Sequence, residues 1–403
     1  MLFQRIISAL WLSLLFLLPC STAIASEEPS GLSLRGFGTL GVARSSSESA
    51  EFIRDLSQTR GIKGGEWSGR IDSIFGLQAN WLVTPEWEFV GQAVSRLHYD
   101  QSHKPELMLG FVKWEPNAQT SLRLGRLGAD FMMRADSRLV GYSFLPVRPS
   151  ADFFGPLFFS HLDGADVVLG TPVGEGILRG KVFLGKTHEK AAGTPGVWDT
   201  SGSPIHGWVL DYTIGNWQLR ANAAQIRYAD EVKKFAIDTQ LRLVGATAAA
   251  DSMIAKDKTS RFLSLGMVYE NGPLQVQGMV NRIQHASKVF EDSHAAYVLA
   301  GYRLGSWTPY AGGSYWKTRA ETHVAASGIP VLDFAYRSYM SASRADQHTF
   351  TLGMRWDVWT NTAFKFQYDA VRGEPASKFP FATSTAQWNG RTDVLSMTMD
   401  FVF

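Results

Sequence analysis

The chain has 403 residues, 45% hydrophobic and 12% aromatic, with only 19% charged, below the about 25% charged of a typical soluble domain. Its 38 glycines and its 25 Phe, 13 Trp and 12 Tyr residues favour β structure and argue against disorder. A formal charge of +2 is too small for nucleic-acid binding by bulk electrostatics.

Residues 1–25 read as a cleavable export signal. Arg5 supplies the positive n-region, Ile6 to Leu18 is apolar, Pro19 breaks the run, and Ala23-Ile24-Ala25 is a small-x-small cleavage site. A lipid anchor at Cys20 is the weaker alternative, because Pro19 stands directly before it. Cys20 is the only cysteine, so the processed chain has no disulfide, no thiolate-held metal and no thiol chemistry. No later stretch approaches 18 uninterrupted apolar residues, which argues against a helical membrane span.

Beyond residue 25 the dominant period is two. Ile71 to Trp81 sets Asp72, Gln78 and Asn80 on one face, and Trp208, Leu210, Tyr212 and Ile214 enclose Asp211 and Thr213. Phe350, Leu352, Met354, Trp356 and Val358 alternate with Thr351, Gly353, Arg355 and Asp357, and Phe364, Phe366 and Tyr368 with Lys365, Gln367 and Asp369. Leu395, Met397, Met399, Phe401 and Phe403 close the chain in the same rhythm. These are long half-buried strands. One uniformly apolar, aromatic face on so many strands is what lipid requires of a barrel wall.

The connections alternate too. Tight turns such as Thr84-Pro85-Glu86, Asn271-Gly272-Pro273 and Thr360-Asn361 carry turn chemistry. Longer polar stretches lie near 44–68, 100–105, 128–163, 187–204, 229–259, 287–293, 320–346 and 373–390. Seven tight turns and eight loops join 16 strands, an even number with both termini at one end. Trp87, Trp217, Trp307 and Trp359 each flank a tight turn, as an interfacial aromatic girdle would. A propeller would have a similar period, but no Gly-His…Trp-Asp signature occurs. The expected fold is an all-β antiparallel transmembrane barrel.

Gly36-Phe37-Gly38-Thr39-Leu40-Gly41 matches a dinucleotide fingerprint in letters only, since no helix pattern follows it. Glycines in a barrel strand serve curvature and packing. No Gly-x-Ser-x-Gly elbow, His-Glu-x-x-His pair or P-loop occurs, and no cofactor or metal site is expected. His98 and His103 read as an exposed loop pair. The third long loop, 128–163, carries Phe131, Phe144, Phe153, Phe154, Phe158 and Phe159 with Leu139, Leu145 and Leu157. So apolar a loop should not stand in water. It is expected to fold inward against the wall, with an outer lid or a subunit contact as the alternative.

The exported chain, the sixteen long strands, Leu124-Gly125-Arg126 leading into a long third loop, and the terminal Phe403 together resemble the Gram-negative general porins. The resemblance implies a third loop that narrows the lumen, a homotrimer, and a terminal aromatic pair, Phe401 and Phe403, read by the barrel assembly machinery. The family's acidic Pro-Glu-Phe-Gly-Gly loop motif is absent, and Asp152-Phe153-Phe154-Gly155 is a loose counterpart. Residues 26–403 would then form one pore domain in the outer membrane, in contact with lipid and lipopolysaccharide. It would pass small hydrophilic solutes by diffusion, without an enzymatic step. A substrate-specific channel for sugars or organic acids, or less readily an outer-membrane enzyme, is the alternative.

By parity, the candidate lumen charges are Arg35, Arg70, Asp72, Arg96, Arg123, Arg179 and Lys181 on the early strands, with Arg126 at the strand end. The third loop adds Asp130, Arg134, Asp136, Arg148 and Asp152. Glu88, Asp166, Arg138 and Asp163 share these segments. The early strands carry more bases than acids, which suggests a modest anion preference.

Overall fold

The computed structural model describes residues 31–403 apart from 131, 157–158, 193–195, 378–380 and 386. The export signal, Phe131, Leu157 and Phe158 therefore lie outside the described residues. Sixteen antiparallel strands form one closed barrel in which every strand pairs with its neighbours in sequence. They are β1 (Gly31–Ser45), β2 (Ile74–Thr84), β3 (Trp87–Ser95), β4 (Glu106–Asn117), β5 (Thr120–Gly128), β6 (His161–Val173), β7 (Gly176–Lys186) and β8 (Pro204–Ile214). There follow β9 (Trp217–Arg227), β10 (Thr259–Asn271), β11 (Leu274–His285), β12 (Ser293–Tyr302), β13 (Trp307–Thr318), β14 (Asp346–Trp359), β15 (Thr362–Gly373) and β16 (Arg391–Val402). The strand count and the alternation of short turns with long loops agree with the sequence reading.

The alternation fixes which face each residue takes. Leu32, Leu77, Phe89, Leu169, Leu184, Leu265, Val298, Leu352 and Leu395 all stand exposed on the outer wall, an apolar band. At the end bearing the tight turns, Trp87 stacks near Trp114 at 5.9 Å, Trp217 packs on Tyr269 at 4.5 Å, and Trp307 lies parallel to Trp356 at 4.9 Å. These cross-strand pairs and the exposed Trp359 make the girdle. At the other end, the loop end, short helices Ile237–Leu243 and Thr247–Ser252 pack with Pro330–Met340 around Leu241, Met253, Leu332 and Met340.

Closure joins β1 to β16, from Phe37 opposite Val402 to Ser45 opposite Val394. The outward glycines of β1 make the seam possible. A Cβ on Gly36 would lie 2.2 Å from the Phe403 ring, and one on Gly38 2.3 Å from the Phe401 ring. The two rings stack on each other at 6.3 Å across backbone that carries no side chain. Two of the fingerprint-like glycines, Gly36 and Gly38, thus serve the seam, while a Cβ on Gly41 would lie 2.7 Å from the Asp72 side chain.

Introducing G36A and G38A together should displace both rings and lower the unfolding midpoint. A double-mutant cycle with F401L/F403L should show a coupling of about 0.5–3 kcal/mol. Strict additivity of the four substitutions would show that the rings and glycines do not act as a unit.

Candidate functional site

Inside the barrel the dominant feature is the third loop, residues 129–160, which lies in the lumen and bonds to both walls. Near its start, Arg220 of β9 donates to the carbonyls of Asp130 (3.0 Å) and Met132 (2.9 Å), and Lys181 of β7 pairs with Asp130. Arg134 reaches Glu270 of β10 at 3.0 Å. At the middle, Arg355 of β14 donates to the carbonyls of Tyr142 and Phe144, and Lys365 of β15 to those of Gly141 and Pro146. Gly141 comes so close to the wall that a Cβ there would lie 2.2 Å from Asp400 Oδ1. The Gln367 side-chain oxygen accepts from the Val147 amide at 2.8 Å.

Arg148 is the strongest attachment. Only 2% exposed, its side chain donates to both oxygens of Asp72 (2.9 and 2.6 Å), to Asp369 of β15 (2.9 Å) and to Ser396 of β16 (2.5 Å). A second buried pair, Lys365 with Asp400 at 3.0 Å, stands near it. Asp152, fully buried, accepts from Ser314 (2.7 Å) and Gln347 (2.6 Å). Between these polar pins the loop is a hydrophobic core element. Met132, Met133, Phe153, Phe154 and Phe159 pack with wall residues such as Phe183, Val209, Phe262, Met279 and Trp316, and Phe153 meets Tyr297 edge-on at 5.1 Å.

The base of the loop is held by a separate polar cluster at the loop end. Arg138 donates to the Phe159 carbonyl and the Ser160 hydroxyl, Arg54 donates to the Arg138 carbonyl, and Arg96 bonds Glu106, Ser57 and Ser160. Burial lowers the Arg138 guanidinium to about 10, with Asp55 opposing the shift. Glu189 accepts from the amides of Ser160 and His161. Burial works to raise its carboxyl, but His161 and Arg96 hold it down at about 2. A depressed carboxyl contributes stability above its unfolded value of about 4.5, and that contribution is lost as the pH falls from there towards about 2.

Several expected lumen charges are placed otherwise. Arg126 points outward, in step with the exposed Leu122 and Leu124, and pairs at 2.7 Å with Asp163 on the outer rim; a two-residue period carries it to the lipid side. Arg70 lies in the first loop, exposed and bonded to Gln101, because β2 starts only at Ile74. Arg96 follows β3 and belongs to the buried cluster just described. Arg148, Asp152, Asp72 and Lys181 are buried where loop and wall meet. Arg123 faces inward in a bidentate pair with Asp166. Asp136 is exposed in the loop, and Arg35 and Arg179 are exposed on inward positions of β1 and β7. Most of the apparent basic excess is therefore either neutralised in pairs or outside the lumen. Lys365, Gln367, Asp369, Asp400, Arg220 and Arg355 are absent from the sequence-based candidates, although Lys365, Gln367, Asp369 and Arg355 stand on the polar faces of alternations given above.

No protein-family model matches the sequence, and no curated protein matches it. Solved structures match the fold across nearly the whole chain. The outer membrane channel DcaP of Acinetobacter baumannii is 11% identical with a TM-score of 0.56, covering 94% of this chain and 99% of that one. OmpF of Salmonella typhi, solved with daunomycin, is 10% identical with a TM-score of 0.57 over the same shares. An anion-selective porin from Comamonas acidovorans is 13% identical with a TM-score of 0.55, covering 93% of this chain and 100% of that one. The fold is thus the one shared by outer-membrane porins and channels.

Replacing Arg148 by Met should free the loop from the wall. It leaves Asp72 and Asp369 buried without their cation, a loss of about 3–5 kcal/mol. Adding D72N and D369N should restore much of it. The check is the unfolding midpoint together with protease cleavage inside 129–160; unchanged values in the single variant would show that the network does not hold the loop.

Proposed function

We propose that the chain is an outer-membrane channel through which small hydrophilic solutes diffuse passively. The observation that carries this reading is the closed sixteen-stranded wall, apolar outside, with a loop folded into its lumen. Closure satisfies every strand's backbone groups without an edge facing lipid, and a barrel of this size encloses an aqueous lumen. The tight-turn end would face the periplasm and the loop end the exterior. The reading requires no cofactor and no bond-making step. The residues proposed to meet passing solutes are the exposed Arg35, Arg179 and Asp136 and, held in ion pairs, Arg123 on the wall and Asp130 and Arg134 on the loop.

The extent of apolar packing around the third loop favours a narrow, selective channel over a wide unspecific one. Homotrimer formation, contact with lipopolysaccharide and handling by the assembly machinery belong to the same proposal, on the resemblance to porins.

In planar bilayers the refolded protein should open stable steps of low conductance. Removing the exposed bases with R35S/R179S should shift the reversal potential towards cations. A heat-modifiable, folded protein that never conducts would overturn the channel reading; an unmoved reversal potential would place the selective zone elsewhere.

The terminal aromatic is proposed as an assembly signal. Phe403 is half exposed, and its backbone exchanges two hydrogen bonds with Gly36, of 2.8 and 2.9 Å. Burying one Phe contributes only about 1.5–3 kcal/mol, so deleting Phe403 should leave refolding in detergent intact while sharply reducing the barrel recovered from outer membranes. Normal recovery would make Phe403 an ordinary wall residue.

A further inference from the structure

Of the polar face that the alternation gives to Ile71–Trp81, Asp72 binds the third loop through Arg148. Gln78 and Asn80 belong instead to a continuous chain of side chains down the inner wall. Gln92 of β3 donates to Gln78 at 2.7 Å, Gln78 to Asn80 at 2.7 Å, and Asn80 to Glu88 at 2.6 Å. Lys113 of β4 ends the chain, 2.6 Å from Glu88 and 3.0 Å from Glu115. The register brings these groups together, since Gln78 faces Gln92 and Glu88 faces Lys113.

Chemistry fixes the direction of this chain. A carboxylate only accepts, so Asn80 must turn its N–H groups to Glu88 and its oxygen to Gln78. Gln78 must then donate to Asn80 and accept from Gln92. Hydrogen bonds ordered end to end in this way polarise and strengthen one another. A primary amide has two N–H donors and two acceptor lone pairs. Gln78 and Asn80 each use one donor and one acceptor within the chain and keep one of each. Both side chains are only half-buried, so the remaining donor and acceptor are open to the lumen.

The chain starts where the loop meets the wall. Leu139 packs with Phe37, Ile74, Val94 and Met108, and Gln78 and Gln92 lie two residues beyond Gly76 and Val94 towards the tight turns. From Gln92 to Glu88 the strand advances about 13 Å. A solute that has passed the loop on this side meets the amides next. The charges at the far end are neutralised, Glu88 by Lys113 and, along the same row, Arg123 by Asp166. Arg35, opposite Gln78 on β1, adds an exposed donor beside the chain.

We propose that this chain is a binding track for uncharged, hydroxyl-rich solutes, the class of sugars and other polyols. A hydroxyl both donates and accepts, which is what the remaining donor and acceptor of each amide require. An inorganic ion finds charges that are already paired. An ether only accepts, so it leaves the amide oxygens without a donor. A site built for hydroxyls rejects analogues that lack them for this reason. Such binding saturates, whereas diffusion through a water-filled lumen does not. The inference rests on the channel reading and goes beyond it in naming the solute class and the residues that hold it.

Single-channel current in potassium chloride tests it, with sucrose as the probe and a methyl-capped oligoethylene glycol of similar mass as the control. Sucrose should reduce the open-channel current along a saturating curve, and the ether only in proportion to its concentration. Q78M/Q92M keeps side-chain length and removes both amides, and should raise the half-saturating sucrose concentration about tenfold. N80L breaks the chain at its middle and should act in the same direction. It carries the test alone if the double variant fails to migrate as a folded, heat-modifiable barrel. A conducting barrel whose sucrose block never saturates, or is unchanged in a folded variant, overturns the track and leaves the channel reading standing. An ether block that saturates like that of sucrose overturns it as well, since hydroxyls would then not be what is recognised. A folded barrel that never conducts overturns the channel reading, and the track with it.

Discussion

The structure depends on one constraint: a backbone in hydrocarbon must find every hydrogen-bond partner within the protein. Sixteen strands meet it only if the last returns to the first. The contact between Gly31–Ser45 and Arg391–Val402 is therefore the condition on which all the other strand pairs rest. Its local chemistry follows. Terminal aromatics need room on the lipid side, and the first strand supplies it by omitting side chains at Gly36 and Gly38. Two of the glycines that look like a nucleotide fingerprint are there because two rings lie over them.

Closure creates a second problem, a lumen that must be filled or wetted. Here a loop fills much of it, and buried charges fix its position. Arg148 with Asp72 and Asp369, and Lys365 with Asp400, bring ions into an apolar setting. Such pairs are costly to desolvate and add little net stability over well-packed apolar groups. What they provide is placement, since a carboxylate stripped of its cation cannot be accommodated in any other packing. Methionine and phenylalanine then occupy the space between the pins, so the loop behaves as part of the core rather than as a hanging flap.

The wall was legible in the sequence because strand period and lipid contact impose the same alternation on every strand. Turn chemistry at positions such as Asn271-Gly272-Pro273 gave the count. The inward fold of the third loop was legible from its apolar content, since exposed Phe153 and Phe154 would have had nothing to cover them. Individual charges were less legible for two reasons. Parity assigns a face only once the strand boundary is known, and Arg70 and Arg96 lie just outside their strands. Arg126 was misplaced because the parity that turns Leu122 and Leu124 outward was not continued to it. Partners such as Asp369 are separated from Arg148 by 221 positions, and no local pattern announces a contact over that distance.

This pairing also changes what a charge count over a lumen means. A base that ends in a bidentate contact, as Arg123 does with Asp166, presents a dipole to a passing ion rather than a full charge. A base on the outer wall, as Arg282 is, presents its charge to the leaflet and not to the pore. The net sign of the sequence over these strands therefore divides among three destinations: pairs that hold the loop, groups that face the lipid surface, and the few exposed inward bases such as Arg35 and Arg179. On the channel reading proposed above, only the last group would meet solutes with a full charge. Selectivity in such a barrel is set by which charges remain unpaired after the loop has been secured, and the strength of its attachment decides how narrow the remaining path is.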